Sequence, residues 1–125
     1  MSHIVTVAVS IKNLDLVSKI CKSRGFVLEK GKNVIEGVGQ KDVDAVIGNI
    51  MHNDNFCVGF KKNKDGYDMV VDKYYMNMSD LQFIADFPQI YTLEASKEHL
   101  RRQGYSVKES RNIKTGEIEL SVSKN

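Results

Sequence analysis

Three histidines, two cysteines and some of the sixteen carboxylates are the side chains of this 125-residue sequence best suited to hold a metal, attack an electrophile or move a proton. His3, His52 and His99 are far apart, and only His52 has a local acidic neighbour, Asp54, within His52-Asn53-Asp54-Asn55. A metal needs three or four converging donors, so this stretch reads as a polar loop and no metal site is expected. A nucleophilic Cys57 would need a base and a lowered pKa. Strand alternation sets it beside Asp72, whose charge pushes the other way, so Cys57 reads as a small strand residue. Asp68 and Asp72, with His3, would be the acid–base set of a small enzyme, and Asp54 and Glu36 could join them. Cross-strand pairing with Lys61 and Lys73 is the preferred account of those carboxylates. Gly25, Gly31, Gly37 and Gly39 surround short strands without the spacing of a phosphate loop. The expectation is therefore no catalytic residue, no cofactor and no metal.

Two constellations could instead bind. Lys61, Lys62 and Lys64 stand together at a turn, and Arg101, Arg102 and Arg111, with Lys108 and Lys114, gather near the end of the chain. Glu94, Glu98, Glu109, Glu117 and Glu119 interleave with the second group, which favours a solvated mixed-charge surface. Nucleic-acid or nucleotide binding through these cations is the alternative. The other constellation is Tyr74, Tyr75, Met76 and Tyr91, beside Met78, Phe83 and Phe87. Adjacent tyrosines on a strand point to opposite faces, so one of the pair is left for a contact. Tyrosine and methionine suit adaptable interfaces. These four residues are the expected protein-binding set, for a protein partner or a second copy of the chain.

The elements that must position them follow from alternation. Phe56, Val58 and Phe60, then Tyr67, Met69 and Val71, keep period two on either side of Asn63-Lys64-Asp65-Gly66, which predicts a β-hairpin over 56–72. Pairing Lys62 with Tyr67 sets Phe60 against Met69, Val58 against Val71 and Lys61 against Asp68. Upstream, a strand over 3–11 leads to a helix capped by Asn13, striped by Leu16, Val17, Ile20 and Cys21, and ended by Gly25 as a left-handed cap. Short strands are expected over 26–30 and 33–38, and 39–55 stays open between a short strand and a helical turn. Downstream, Ser79-x-x-Gln82 reads as a capping box. Pro88 cannot continue a helix without kinking it and is expected to start a second one over 89–103. Strands over 104–109 and 117–122 flank a turn at 112–116. The spacing of helix, glycine and aromatic at 18–30 returns at 97–109. Two β-α-β-β units, a ferredoxin-like or TATA-binding-protein-like pseudo-repeat, explain this, as does the common look of such junctions. Either way the expected fold is α+β: two layers, an antiparallel-rich sheet with helices on one face.

With 42% hydrophobic and 27% charged residues and a net charge of +2, the composition is that of an ordinary globular chain of one domain. Cys21 and Cys57 have no paired spacing, which suits a reducing compartment. No apolar run approaches membrane length. A cytoplasmic protein that does not enter membranes is expected.

Met1-Ser2-His3-Ile4, Val58-Gly59-Phe60, the run Gly66 to Asp72, Gly104-Tyr105 and Gly116 to Leu120 together resemble the hypothetical chloroplast open reading frame family of plastids and cyanobacteria. Members of that domain of unknown function typically open Met-Ser-His-Phe. The resemblance spans nearly the whole chain. It departs where the family's paired tryptophans correspond to Tyr74 and Tyr75, and where its Gln-Arg-Tyr-Ala-Tyr-His pattern corresponds to residues 89–94, so an arginine and a histidine are missing. The resemblance implies a small soluble protein with no assigned chemistry. Together these readings point to a non-enzymatic binding module.

Overall fold

Alternation is realised over 58–72, whereas Phe56, expected in the same phase, lies outside this hairpin and packs against Val43, Val46 and Val70. In the computed structural model, which describes residues 4–31, 42–73 and 76–124, Val58–Lys62 pairs antiparallel with Tyr67–Asp72. Phe60 lies opposite Met69, Val58 opposite Val71, Lys61 opposite Asp68 and Lys62 opposite Tyr67, as expected. The described strands are β1 (Ile4–Ile11), β2 (Leu28–Lys30), β3 (Ala45–Ile47), β4 (Met51–His52), β5 (Asn55–Phe56), β6 (Val58–Lys62), β7 (Tyr67–Asp72), β8 (Tyr105–Arg111) and β9 (Ile118–Lys124). The helices are α1 (Leu14–Ser23) and α2 (Met78–Arg102). The α+β class with antiparallel sheets is as expected. The chain forms two compact units, Met1–Thr92 and Leu93–Asn125, and α2 begins in one and ends in the other.

The first unit is built on a five-stranded antiparallel sheet in the order β1-β7-β6-β3-β2. Ala45, Phe60 and Met69 share one side, because directly opposed residues in a ladder point the same way. That side receives α2: the ring of Phe87 lies 6.1 Å from that of Phe60, and Phe83, Ile84, Phe87 and Tyr91 are all buried. The other side keeps a smaller cluster, Val43, Val46 and Val70, closed by Phe56. Residues 45–47, left open by the sequence, form the strand β3 because both sides of the sheet are covered there and every one of them is buried. Next to it β4 and β5 make a two-residue hairpin. Asn53 and Asp54 take positive φ, 48° and 65°, the conformation that residues able to tolerate the left-handed region supply in such turns.

Local signals hold α1 as expected. The Asn13 side chain accepts hydrogen bonds from the amides of Asp15 and Leu16, and Asp15 sits in the first turn. At the other end Gly25, at φ +81°, lets Phe26 donate to the Cys21 carbonyl and Gly25 to that of Lys22, a Schellman ending. Gly66 is needed for closeness. A Cβ there would lie 1.9 Å from the Ile11 carbonyl oxygen, so the turn after β6 seats against the end of β1 only without a side chain.

Four further expectations are corrected. Pro88 does not open a second helix but lies inside the continuous α2. It forfeits one backbone hydrogen bond, and buried anchors on either side, Ile84 and Phe87 before it and Tyr91 after it, hold the helix through that loss. The cap of α2 is Asn77, whose side-chain oxygen accepts from the Asp80 amide, rather than Ser79; Gln82 donates to Asp86 instead of completing a capping box. The sheet is not single, since β4-β5 and β8-β9 each form separate two-stranded sheets. That also parts the halves of the suggested repeat: β2 joins the five-stranded sheet, whereas β8 and β9 pair with each other alone among the described residues. The strand expected over 33–38 lies outside the described residues.

The second unit is the last part of α2 with the β8–β9 hairpin. Register from Tyr105 opposite Lys124 to Arg111 opposite Ile118 sorts the hairpin into two faces. One face carries Tyr105, Val107, Glu109, Ile118, Leu120 and Val122, with the cations Arg111 and Lys124 at its two ends; the other carries Ser106, Lys108, Ser110, Glu119, Ser121 and Ser123. Asn112 closes the turn, its side chain accepting from the amides of Lys114 and Thr115.

Candidate functional site

The side chains singled out by sequence go to different places. Tyr74 and Tyr75 lie outside the described residues, as does His3. Met76 is half-buried. Tyr91 belongs to the core: it is 3% exposed, its ring stacks on Phe87 and its hydroxyl accepts from the Lys12 amide at 3.1 Å. It therefore serves packing and offers no surface to a partner.

Asp68 and Asp72 share one strand and one side, four residues apart, which separates them by roughly 13 Å and rules out a shared proton. The Asp68 carboxylate accepts from the Asn63 side-chain amide at 2.8 Å. Lys61, its register partner, reaches the Asp42 carbonyl at 3.4 Å instead of Asp68. Among the described residues no three His, Cys, Asp or Glu side chains gather as a metal would require.

The cations are similarly divided. Lys61, Lys62 and Lys64 are exposed at the end of β6 and its turn in the first unit. Arg101, Arg102 and Arg111 belong to the second unit, the first two at the end of α2 and Arg111 at the far end of β8, whose length is roughly 20 Å. Arg102 faces Glu98 at 3.6 Å, an exposed pair of small worth.

Two surfaces have the shape of contact sites. In the first unit a groove of about 390 Å³ runs between the end of α1 and one stripe of α2. Phe26 and Phe83 stack along its floor with ring centres 4.4 Å apart, Ile90 extends the floor, and Arg24 and Asp86 put opposite charges on the rim. The second surface is the apolar side of the β8–β9 hairpin. Tyr105, Val107, Ile118 and Leu120 are half-buried and Val122 is 44% exposed. The buried residue among those described in this unit is Lys97, at 8% exposure. Its ammonium donates to Glu94 one turn earlier on α2 and to Glu109 on β8, each at 2.8 Å. Those two hydrogen bonds, that to Glu109 first, raise the Lys97 pKa against the opposing effect of burial.

Sequence reasoning passed over Lys97, although a signal was present. Glu109 occupies a position of the apolar phase 105, 107, 109, where a carboxylate needs a cation to face it.

A family model for proteins of unknown function, DUF1257, matches residues 21–121. The chain belongs to that family. The resemblance to an open-reading-frame family drawn from the sequence agrees with this, both being domains of unknown function. No curated protein and no solved structure matches the chain. The DUF1257 match takes in the whole groove lining and the Lys97 ion triad; β1 lies before it.

Both thiols of this DUF1257 chain are buried and unpaired. Burial pushes the Cys21 thiol up to about 11. Cys57 is raised by burial first and then by the charges of Asp72 and Asp80, the direction expected from its place in the hairpin. Neither is poised as a nucleophile. No helix among the described residues is long and apolar enough to cross a membrane.

Proposed function

We propose that the chain is a non-enzymatic binding module that docks a protein partner on the apolar side of its β8–β9 hairpin. The observation that supports this is the state of the second unit: none of its described apolar residues is buried, while a lysine is. Full burial of a valine, leucine or isoleucine is worth roughly 1.5–3 kcal/mol, so a half-covered layer leaves a good part of that stabilisation for a partner to supply. Tyr105 gives the surface an amphipathic anchor, and the exposed charges of the turn and strand ends make a polar rim of the kind that surrounds interface cores. Chemistry is the weaker reading, since the strand carboxylates stand apart and the thiols are protonated and covered.

The test is parallel capture from source cells with tagged wild type, Val122→Lys and Val27→Lys. Val27 is 56% exposed in the first unit and serves as the control. A partner recovered by wild type and Val27→Lys but reduced at least tenfold with Val122→Lys supports docking on the hairpin. An unchanged set of partners across all three overturns it. The nucleic-acid alternative expects a mobility shift at low salt that fades steeply as salt rises; docking on the hairpin expects none.

A further inference from the structure

Among the described residues the five-stranded sheet ends in two edges of opposite character. β2 is three residues long, Leu28-Glu29-Lys30, and carries a charge of each sign, the usual way of discouraging a stray strand. β1 is eight residues long, Ile4-Val5-Thr6-Val7-Ala8-Val9-Ser10-Ile11, with no charge, no proline and no glycine. Among the described residues its one ladder neighbour is β7.

We propose that β1 is a self-association edge: two copies of the chain pair their β1 strands antiparallel and join two five-stranded sheets into one. A strand that pairs antiparallel with its own copy sets residue i against j and j against i across a two-fold axis, so a charge on it would need its counter-charge within the same strand. β1 carries none, whereas the other strands of five or more residues, β6, β7, β8 and β9, all carry charges.

The side chains fit the same occupant. Val5 and Val7 lie opposite Val71 and Met69, on the side of the sheet that α2 covers, yet Val5 is 40% exposed and Val7 and Val9 only half-buried. The apolar side thus runs out onto the edge strand past its cover, and a second copy would lay its own valines beside these. Thr6, Ala8 and Ser10, on the other side, are exposed and small. The register against β7 breaks between Val7 and Ile11, so the regular part of the pairing is residues 4–7.

Light scattering after size exclusion, on the full chain over a hundredfold concentration range, tests this. Wild type is expected to rise from 14.1 kDa toward twice that mass. Thr6→Lys and Val5→Lys, checked as folded by circular dichroism, are expected to need at least tenfold higher concentration to do so. Val122→Lys is expected to dimerise as wild type does, which separates this edge from the hairpin surface. A wild type that stays at 14.1 kDa throughout overturns the inference. So do edge variants that dimerise like wild type, or a dimer lost with Val122→Lys.

Discussion

The first unit, Met1–Thr92, buries apolar side chains from β1, β3, β6, β7 and both helices; the second, Leu93–Asn125, buries a lysine between two glutamates. One is held by area removed from water, the other by hydrogen-bonded charges under a partly open apolar layer. An ion triad around a covered lysine gives geometry more readily than stability, because desolvating the ammonium offsets much of its attraction to the two partly exposed carboxylates. The difference suggests a division of labour, with the first unit as scaffold and the second as the surface left to be completed.

The largest expected effect falls on the scaffold. Phe87 is fully buried and its ring meets those of Phe60, Phe83 and Tyr91 at about 6 Å. Phe87→Ala should cost roughly 3–5 kcal/mol in denaturant unfolding of the first unit. A cost below 1 kcal/mol would break the contrast from its strong side.

Alkaline pH should act next. The Cys21 thiol ionises near 9.0 when unfolded and near 11 when folded. The folded state therefore holds its proton longer, and the associated stability is complete below pH 9 and lost between 9 and 11, roughly 2–3 kcal/mol. Cys21→Ala should flatten that decline in a stability–pH profile. Lys97 follows a later course. Its pKa is raised from 10.5, so the triad's contribution is intact below that value and fades as pH climbs through the raised one.

Lys97→Met sharpens the comparison at neutral pH. It keeps an apolar stem but leaves Glu94 and Glu109 facing each other, and because both carboxylates are partly exposed the cost should be only about 1–2 kcal/mol. Amide exchange should accelerate in 93–124 while the unfolding of the first unit keeps its midpoint. The smallest stability effect is expected of Val122→Lys, within about 0.5 kcal/mol, despite its predicted loss of the partner.

Much of the scaffold was legible because local rules and burial agreed. In 58–72 Val58, Phe60, Met69 and Val71 all found the side that α2 covers, so that register could be read before the fold, while Phe56 closed the small cluster on the other side. Asn13 and Gly25 ended α1 by backbone geometry that sequence alone specifies. Tertiary packing decided the rest. Buried neighbours overrode the break expected at Pro88, Asn77 outcompeted Ser79 for the first free amides, and Asp68 found Asn63 in place of Lys61. The second unit was harder because its organising contact joins Lys97 to Glu109 across a turn. The four residues expected to bind a protein gave little away: Tyr91 was as apolar as its helix spacing demanded, and its hydroxyl found a backbone amide.

Native-state amide exchange on the isolated chain at neutral pH tests the division most directly. The slowest amides should lie in β3, β6 and β7 and open only with global unfolding, while those of β8 and β9 exchange through smaller local openings. Protection of β8 and β9 equal to that of β6 and β7 would contradict it, because the second unit would then need no partner to complete its apolar layer.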